Sequence, residues 1–147
     1  MSIMKGKKNS KFSFIDHTAD IMFRAEGKSL EEAYLNSALA LKEVMLGNLK
    51  VESREKRTIS VDGKDEESLL MDFLEEFLYM LDAEDFIISE IKSLRIILSG
   101  RFKIEAEVYG DKASNYKFTN DVKAITYNEM FVKSENGKWT TQVVLDV

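Results

Sequence analysis

The chain reads as an α+β protein: a single domain in which a mostly antiparallel sheet, with room for a mixed pair, packs on two α-helices. Three observations predict it. Two segments carry apolar residues at helical spacing, one opening at Ser29 and one over about 65–81. Several other segments alternate apolar and polar residues with the period of a strand. The later strands are joined by short turns, Ser99-Gly100 and Glu135-Asn136-Gly137, which are hairpin signals. Helices confined to the first half, with hairpin-joined strands after them, suit α+β rather than alternating α/β. A length of 147 residues is that of one domain and permits a substantial core.

The elements follow in order. Residues 1–11 hold Lys5, Lys7, Lys8 and Lys11 and predict a flexible basic tail, leaving 12–147 as the folded domain. Residues 12–16 alternate as a short strand. In 20–26, Ile21, Phe23 and Ala25 share one face and Met22, Arg24 and Glu26 the other, until Gly27-Lys28 ends the pattern. Ser29 with Glu32 three residues on predicts a capping box. The helix it opens carries Leu30, Ala33, Tyr34, Ala38, Leu41, Val44 and Met45, and Gly47-Asn48 stops it. Residues 57–62 form a strand closed by Gly63. The second helix presents Leu69, Leu70, Phe73, Leu74, Phe77, Leu78 and Leu81, a stripe wide enough for the centre of the core, with Glu66 and Glu67 favourably placed in its first turn. Residues 90–98 and 101–109 make one hairpin, 111–121 a polar loop, and 122–133 with 138–147 a second hairpin.

Composition removes several function classes. No cysteine is present, which excludes disulfides, iron–sulfur clusters, thiolate nucleophiles and thiolate zinc sites. A net charge of −5 argues against a broad nucleic-acid surface and favours a basic protein partner or a metal. No apolar run approaches the ~20 residues of a membrane span, and the lysine-rich start is not followed by the apolar stretch of a signal peptide. The expected location is the cytoplasm.

Few residues carry recognisable chemistry. Gly27-Lys28-Ser29 imitates the end of a phosphate-binding loop, but Met22 stands where the motif needs glycine and Glu26 would face the phosphates, so it reads as a turn and cap. His17, the only histidine, lies between Asp16 and Asp20. It could serve as an acid–base group, yet no nucleophile accompanies it, and fixing a tight turn is the better reading. Asp20 leads its strand; Asp146 ends the apolar run Val143-Val144-Leu145, one residue before the terminal Val147. If folding brings these together, two aspartates and a terminal carboxylate form a set of hard oxygen ligands suited to Ca²⁺, Mg²⁺ or Mn²⁺. Such a cluster needs a cation or a basic partner to offset its repulsion. Lys123, in an otherwise apolar strand, either reaches the surface or supplies that positive charge.

Asp16-His17-Thr18-Ala19-Asp20-Ile21, Ser29-Leu30-Glu31-Glu32-Ala33, the segment 69–82, the segment 122–130 and the stretch from Trp139 to Leu145-Asp146-Val147 resemble the archease family, in order and at its spacing, across residues 12–147. The resemblance implies a non-enzymatic accessory factor of the GMP-dependent tRNA-splicing RNA ligase, aiding ligase guanylylation and repeated turnover. An older idea for the family is a chaperone-like modulator of tRNA cytosine methyltransferases. The resemblance implies a divalent metal held by Asp20, Asp146 and Val147, and partner contacts through Lys123 and His17. It implies neither direct nucleic-acid binding nor a membrane. Departures are Asn128 and the segment 111–121, where many members carry histidine, and Met22, where many carry glycine. The rival to an accessory role is a metal-dependent phosphoester hydrolase using Asp16, His17, Asp20 and Asp146.

Overall fold

A computed structural model describes residues 11–16 and 20–147, so residues 1–10 of the expected basic tail and the expected role of His17 lie outside the described residues. The elements run β1 (Phe12–Ile15), β2 (Ile21–Gly27), α1 (Leu30–Leu46), β3 (Glu55–Gly63), α2 (Glu66–Glu84), β4 (Phe86–Ser99), β5 (Arg101–Lys112), β6 (Ala124–Glu135) and β7 (Lys138–Asp146). A short 3₁₀ turn at Ala113–Asn115 begins the loop between β5 and β6. The α+β class holds, and every strand pair among the described residues is antiparallel. The strands divide into two sheets rather than one, ordered β1-β2-β7-β6 and β3-β5-β4.

The helices explain the division. Around α1, Leu30, Ala33, Tyr34, Ser37, Ala38, Ala40, Leu41, Val44 and Met45 are buried, which is more than one face of a helix. It touches β1, β2 and β7 of the first sheet and β4 of the second, while α2 touches β6 as well as β3, β4 and β5. Both sheets therefore close over the same pair of helices, and one hydrophobic cluster runs through all of it. No helix of the described residues is long and apolar enough to cross a membrane.

Local chemistry sets the boundaries. Ser29 accepts the Glu32 N–H at 3.1 Å, but the Glu32 carboxylate takes the N–H of Lys28, at 2.8 Å, so only half of the expected box forms. The reciprocal box occurs at α2: Asp65 accepts the Ser68 N–H and the Ser68 hydroxyl accepts the Asp65 N–H. That helix runs to Glu84, three residues past Leu81, and ends at Asp85 in the left-handed region. β4 begins at Phe86 because Phe86, Ile87 and Ile88 are all buried, a run without alternation to announce it. Gly27 allows β2 to approach α1: a Cβ there would lie 2.5 Å from the Ala33 backbone nitrogen. Its place in Gly-Lys-Ser is thus a matter of packing.

Buried polar groups fasten the layers. Tyr34 donates its hydroxyl to the Glu66 carbonyl at 2.6 Å, joining α1 to α2, and burial pushes its pKa far up. Ser37 donates to the Ala33 carbonyl and its hydroxyl also shares a 2.7 Å bond with that of Thr141, joining α1 to β7. Asp111 accepts the Tyr116 hydroxyl and the Lys112 N–H, each at 2.8 Å, with Arg54 at 3.8 Å.

Candidate functional site

β7 is an interior strand, flanked by β2 and β6, and its residues 141–145 are all buried. Two neighbours and a fully apolar end fix where this strand stops relative to them. Ile21 pairs with Leu145, and Leu145 with Ile125, making a buried row across three strands. One step beyond that row, Asp20 precedes Ile21 and Asp146 follows Leu145. The antiparallel register therefore sets the two aspartates at the same end of adjacent strands, where facing Cβ atoms stand about 4.5–5.5 Å apart. On the other side Asp146 pairs with Ala124, and its carbonyl accepts the Lys123 N–H at 2.8 Å.

Asp146 and Lys123 are exposed, and Asp20 and Val147 are half-buried. Lys123 precedes β6 by one residue rather than lying within the strand. Its backbone ties the strand end, and its ammonium is at the surface. Two carboxylates at one sheet edge raise each other's energy unless a cation or donors offset the charge. Their oxygens, with the main-chain oxygens of Val147, suit a hard cation. Among the described residues no group of three or more His, Cys, Asp or Glu side chains is arranged to hold a metal. A cation at Asp20 and Asp146 would therefore complete its shell with main-chain oxygens, water or groups from a partner. The rival hydrolase set turns on His17, which lies outside the described residues.

A bulge beside this edge escaped the sequence reading. Thr126 pairs with Val144 and Phe131 with Gln142, five steps along β6 against two along β7. The inserted turn exposes Tyr127, Asn128 and Glu129, and Glu129 has φ +56°. Gln142 donates to the Glu129 carbonyl at 2.7 Å, and Arg24 donates to the Gln142 side-chain oxygen at 2.7 Å, so β2 and β7 together hold the turn. The bulge lets Ile125 and Val132 both be buried, although an unbroken strand cannot put residues seven apart on one face.

The fold and this edge define an all-antiparallel α+β protein with a pair of surface carboxylates at the end of a sheet. Residues 12–147 match the model of the Archease protein family (MTH1598/TM1083), and the chain belongs to that family. It is 38% identical over 143 residues to the protein archease of Pyrobaculum neutrophilum, covering 95% of this chain and 97% of that one. With the protein archease of Pyrococcus abyssi it shares 40% over 135 residues, covering 90% and 95%. Among solved structures it is similar to Methanobacterium thermoautotrophicum protein 1598, with a TM-score of 0.79, 33% identity and coverage of 92% and 98%. An archease from Thermotoga maritima, described as a possible chaperone, has a TM-score of 0.64 at 20% identity, with coverage of 90% and 94%, a likeness of fold alone.

Proposed function

We propose that this archease is a non-enzymatic accessory protein of a tRNA-splicing RNA ligase, acting in the cytoplasm to promote ligase guanylylation and multiple turnover. It does so through a divalent cation, calcium or else magnesium or manganese, at Asp20, Asp146 and Val147. The observation that supports this reading is the β2–β7 register, which brings acids from the two ends of the chain to one exposed edge. The cation supplies charge neutralisation there and open coordination positions. The chain's own residues supply the rest: Asp20 and Asp146 offer hard oxygens at the surface, the Lys123 backbone holds the strand end, and Lys123 and His17 meet the ligase. A net charge of −5 suits docking on a basic, RNA-binding enzyme, since complementary charge speeds encounter.

Multiple-turnover ligation by a cognate ligase, with and without this protein, tests the reading. Wild type stimulates; Asp20→Ala and Asp146→Ala do not, and calorimetry finds that both have lost their divalent cation. Stimulation that survives both substitutions would sink the metal-site mechanism. A second reading, which follows from the family resemblance, is chaperone-like modulation of a tRNA cytosine methyltransferase. Under that reading methyltransferase specificity responds to this protein, and the ligase does not. Phosphoester hydrolysis by the isolated protein would reject both in favour of an enzyme.

A further inference from the structure

We propose that the outward face of the four-stranded sheet, at Arg24, Phe131 and Lys133, binds single-stranded RNA. The register pairs Arg24 with Gln142 and Gln142 with Phe131, so these side chains form one row across β2, β7 and β6. Lys133 lies two residues along β6, opposite Thr140 and on the same face. Phe23, Ala25, Val132, Thr141 and Val143, which alternate with the row, are buried on the core side, so the row faces away from the core. Gln142 within it, and Met22 and Val144 further along the same face, are also buried, leaving Arg24, Phe131 and Lys133 as the accessible members. Arg24 and Lys133 are exposed and Phe131 is half-exposed.

Two cations stand over the Phe131 ring, with Lys133 Nζ 4.3 Å and the Arg24 guanidinium carbon 5.9 Å from its centre. Neither cation pairs with a carboxylate among the described residues. Arg24 Nε donates to the neutral Gln142 side chain, and the contact of Lys133 is the ring itself. In an acidic chain, two cations without an ion pair among the described residues stand around a half-exposed aromatic ring.

That combination selects its ligand. Sheet-face binders of single strands stack bases on aromatic rings and meet the phosphates with cations. A base that slides onto Phe131 displaces the Lys133 ammonium, which then meets a phosphate. An acidic peptide would use the two cations but gain little from the ring, and a duplex keeps its base faces hidden. Arg24 is four residues from Asp20, and Gln142 four from Asp146, so the platform lies about 13 Å along the strands from the carboxylate edge. The inference rests on the accessory-protein reading for its role: an RNA end being joined would lie across this face while Asp20 and Asp146 address the ligase. The net charge of −5 excludes a broad nucleic-acid surface, and this one is narrow, meeting about two phosphates.

Fluorescence anisotropy of a short fluorescein-labelled single-stranded oligoribonucleotide, titrated with the full chain at low ionic strength, tests it. Saturable binding is expected, with a log–log salt slope of about −1.4 for two phosphates. Phe131→Ala weakens it about tenfold, and Phe131→Tyr, which keeps the ring, binds as wild type. Lys133→Gln weakens it and reduces the slope by about 0.7. Absence of saturable binding, or equal binding by Phe131→Ala, overturns the proposal. So does equal binding of the oligonucleotide annealed to its complement. Preferential binding of polyglutamate would assign the face to an acidic protein instead. The titration contains no ligase, so its failure leaves ligase stimulation standing, and a failure of stimulation leaves RNA binding standing.

Discussion

Asp111 shows how one side chain holds a long loop. It is 3% exposed, and its carboxylate accepts the Tyr116 hydroxyl and the Lys112 N–H. The same Tyr116 oxygen accepts the Glu52 N–H at 2.9 Å, so one acid fixes the start of the β5–β6 connection against the segment before β3. The Tyr116 hydrogen bond, then the Lys112 N–H and the charge of Arg54, hold the Asp111 carboxyl below the usual carboxylate range against the cost of burial. The consequence for pH has a definite sign. A carboxyl whose pKa is lower folded than unfolded contributes stability that is complete above its unfolded value, near 3.9, and disappears as pH falls through the folded value. Urea midpoints of wild type and Asp111→Asn should therefore differ most above about pH 4. The difference should shrink on acidification below that. A gap that widens with acid would contradict the assignment.

Among elements, the contact of β2 with α1 is the tightest joint relevant to the candidate site. Gly27 ends β2 where the first turn of α1 begins, and Asn36 donates to the Glu26 carbonyl at 2.7 Å beside it. A methyl group at 27 would meet backbone atoms of Glu32 and Ala33 at 2.8 and 2.5 Å. Backbone cannot swing aside as a long side chain can. Gly27→Ala should destabilise the protein by about 1–3 kcal/mol, the usual cost of overpacking, visible as a lower Tm. A variant as stable as wild type would mean that the strand end is free to shift, along with the register that places Asp20.

At the scale of the whole molecule, the two sheets share one core through the helices between them. Neither sheet can keep its apolar face covered once α1 and α2 leave. Unfolding is accordingly expected as one cooperative transition. Trp139, the only tryptophan, lies in β7 of the first sheet and reports locally, while far-UV circular dichroism reports both sheets and the helices. The two signals should give the same urea midpoint. Separated midpoints would show the sheets to be independent units.

How far the sequence alone reaches can be judged element by element. Periodicity determined both helices, because a stripe from Leu69 to Phe77 or from Ala33 to Met45 repeats with only one regular structure. The turns at Ser99-Gly100 and Asn136-Gly137 determined two hairpins, since Gly100, Asn136 and Gly137 adopt the positive φ such turns need. Motifs determined the family, and residue types determined that Asp20 and Asp146 would offer hard oxygens. Local pattern could not reveal the partition into two sheets, because pairing partners such as Ile21 and Leu145 are far apart in the chain and are chosen by the shared core. It also could not reveal the bulge at 127–130, which only the pairing of Thr126 and Phe131 with β7 defines. The same long-range register decided that Asp20 and Asp146 end side by side, and that Arg24 and Phe131 lie in one row. Side-chain chemistry is written residue by residue, whereas adjacency across strands exists only once packing has selected the neighbours.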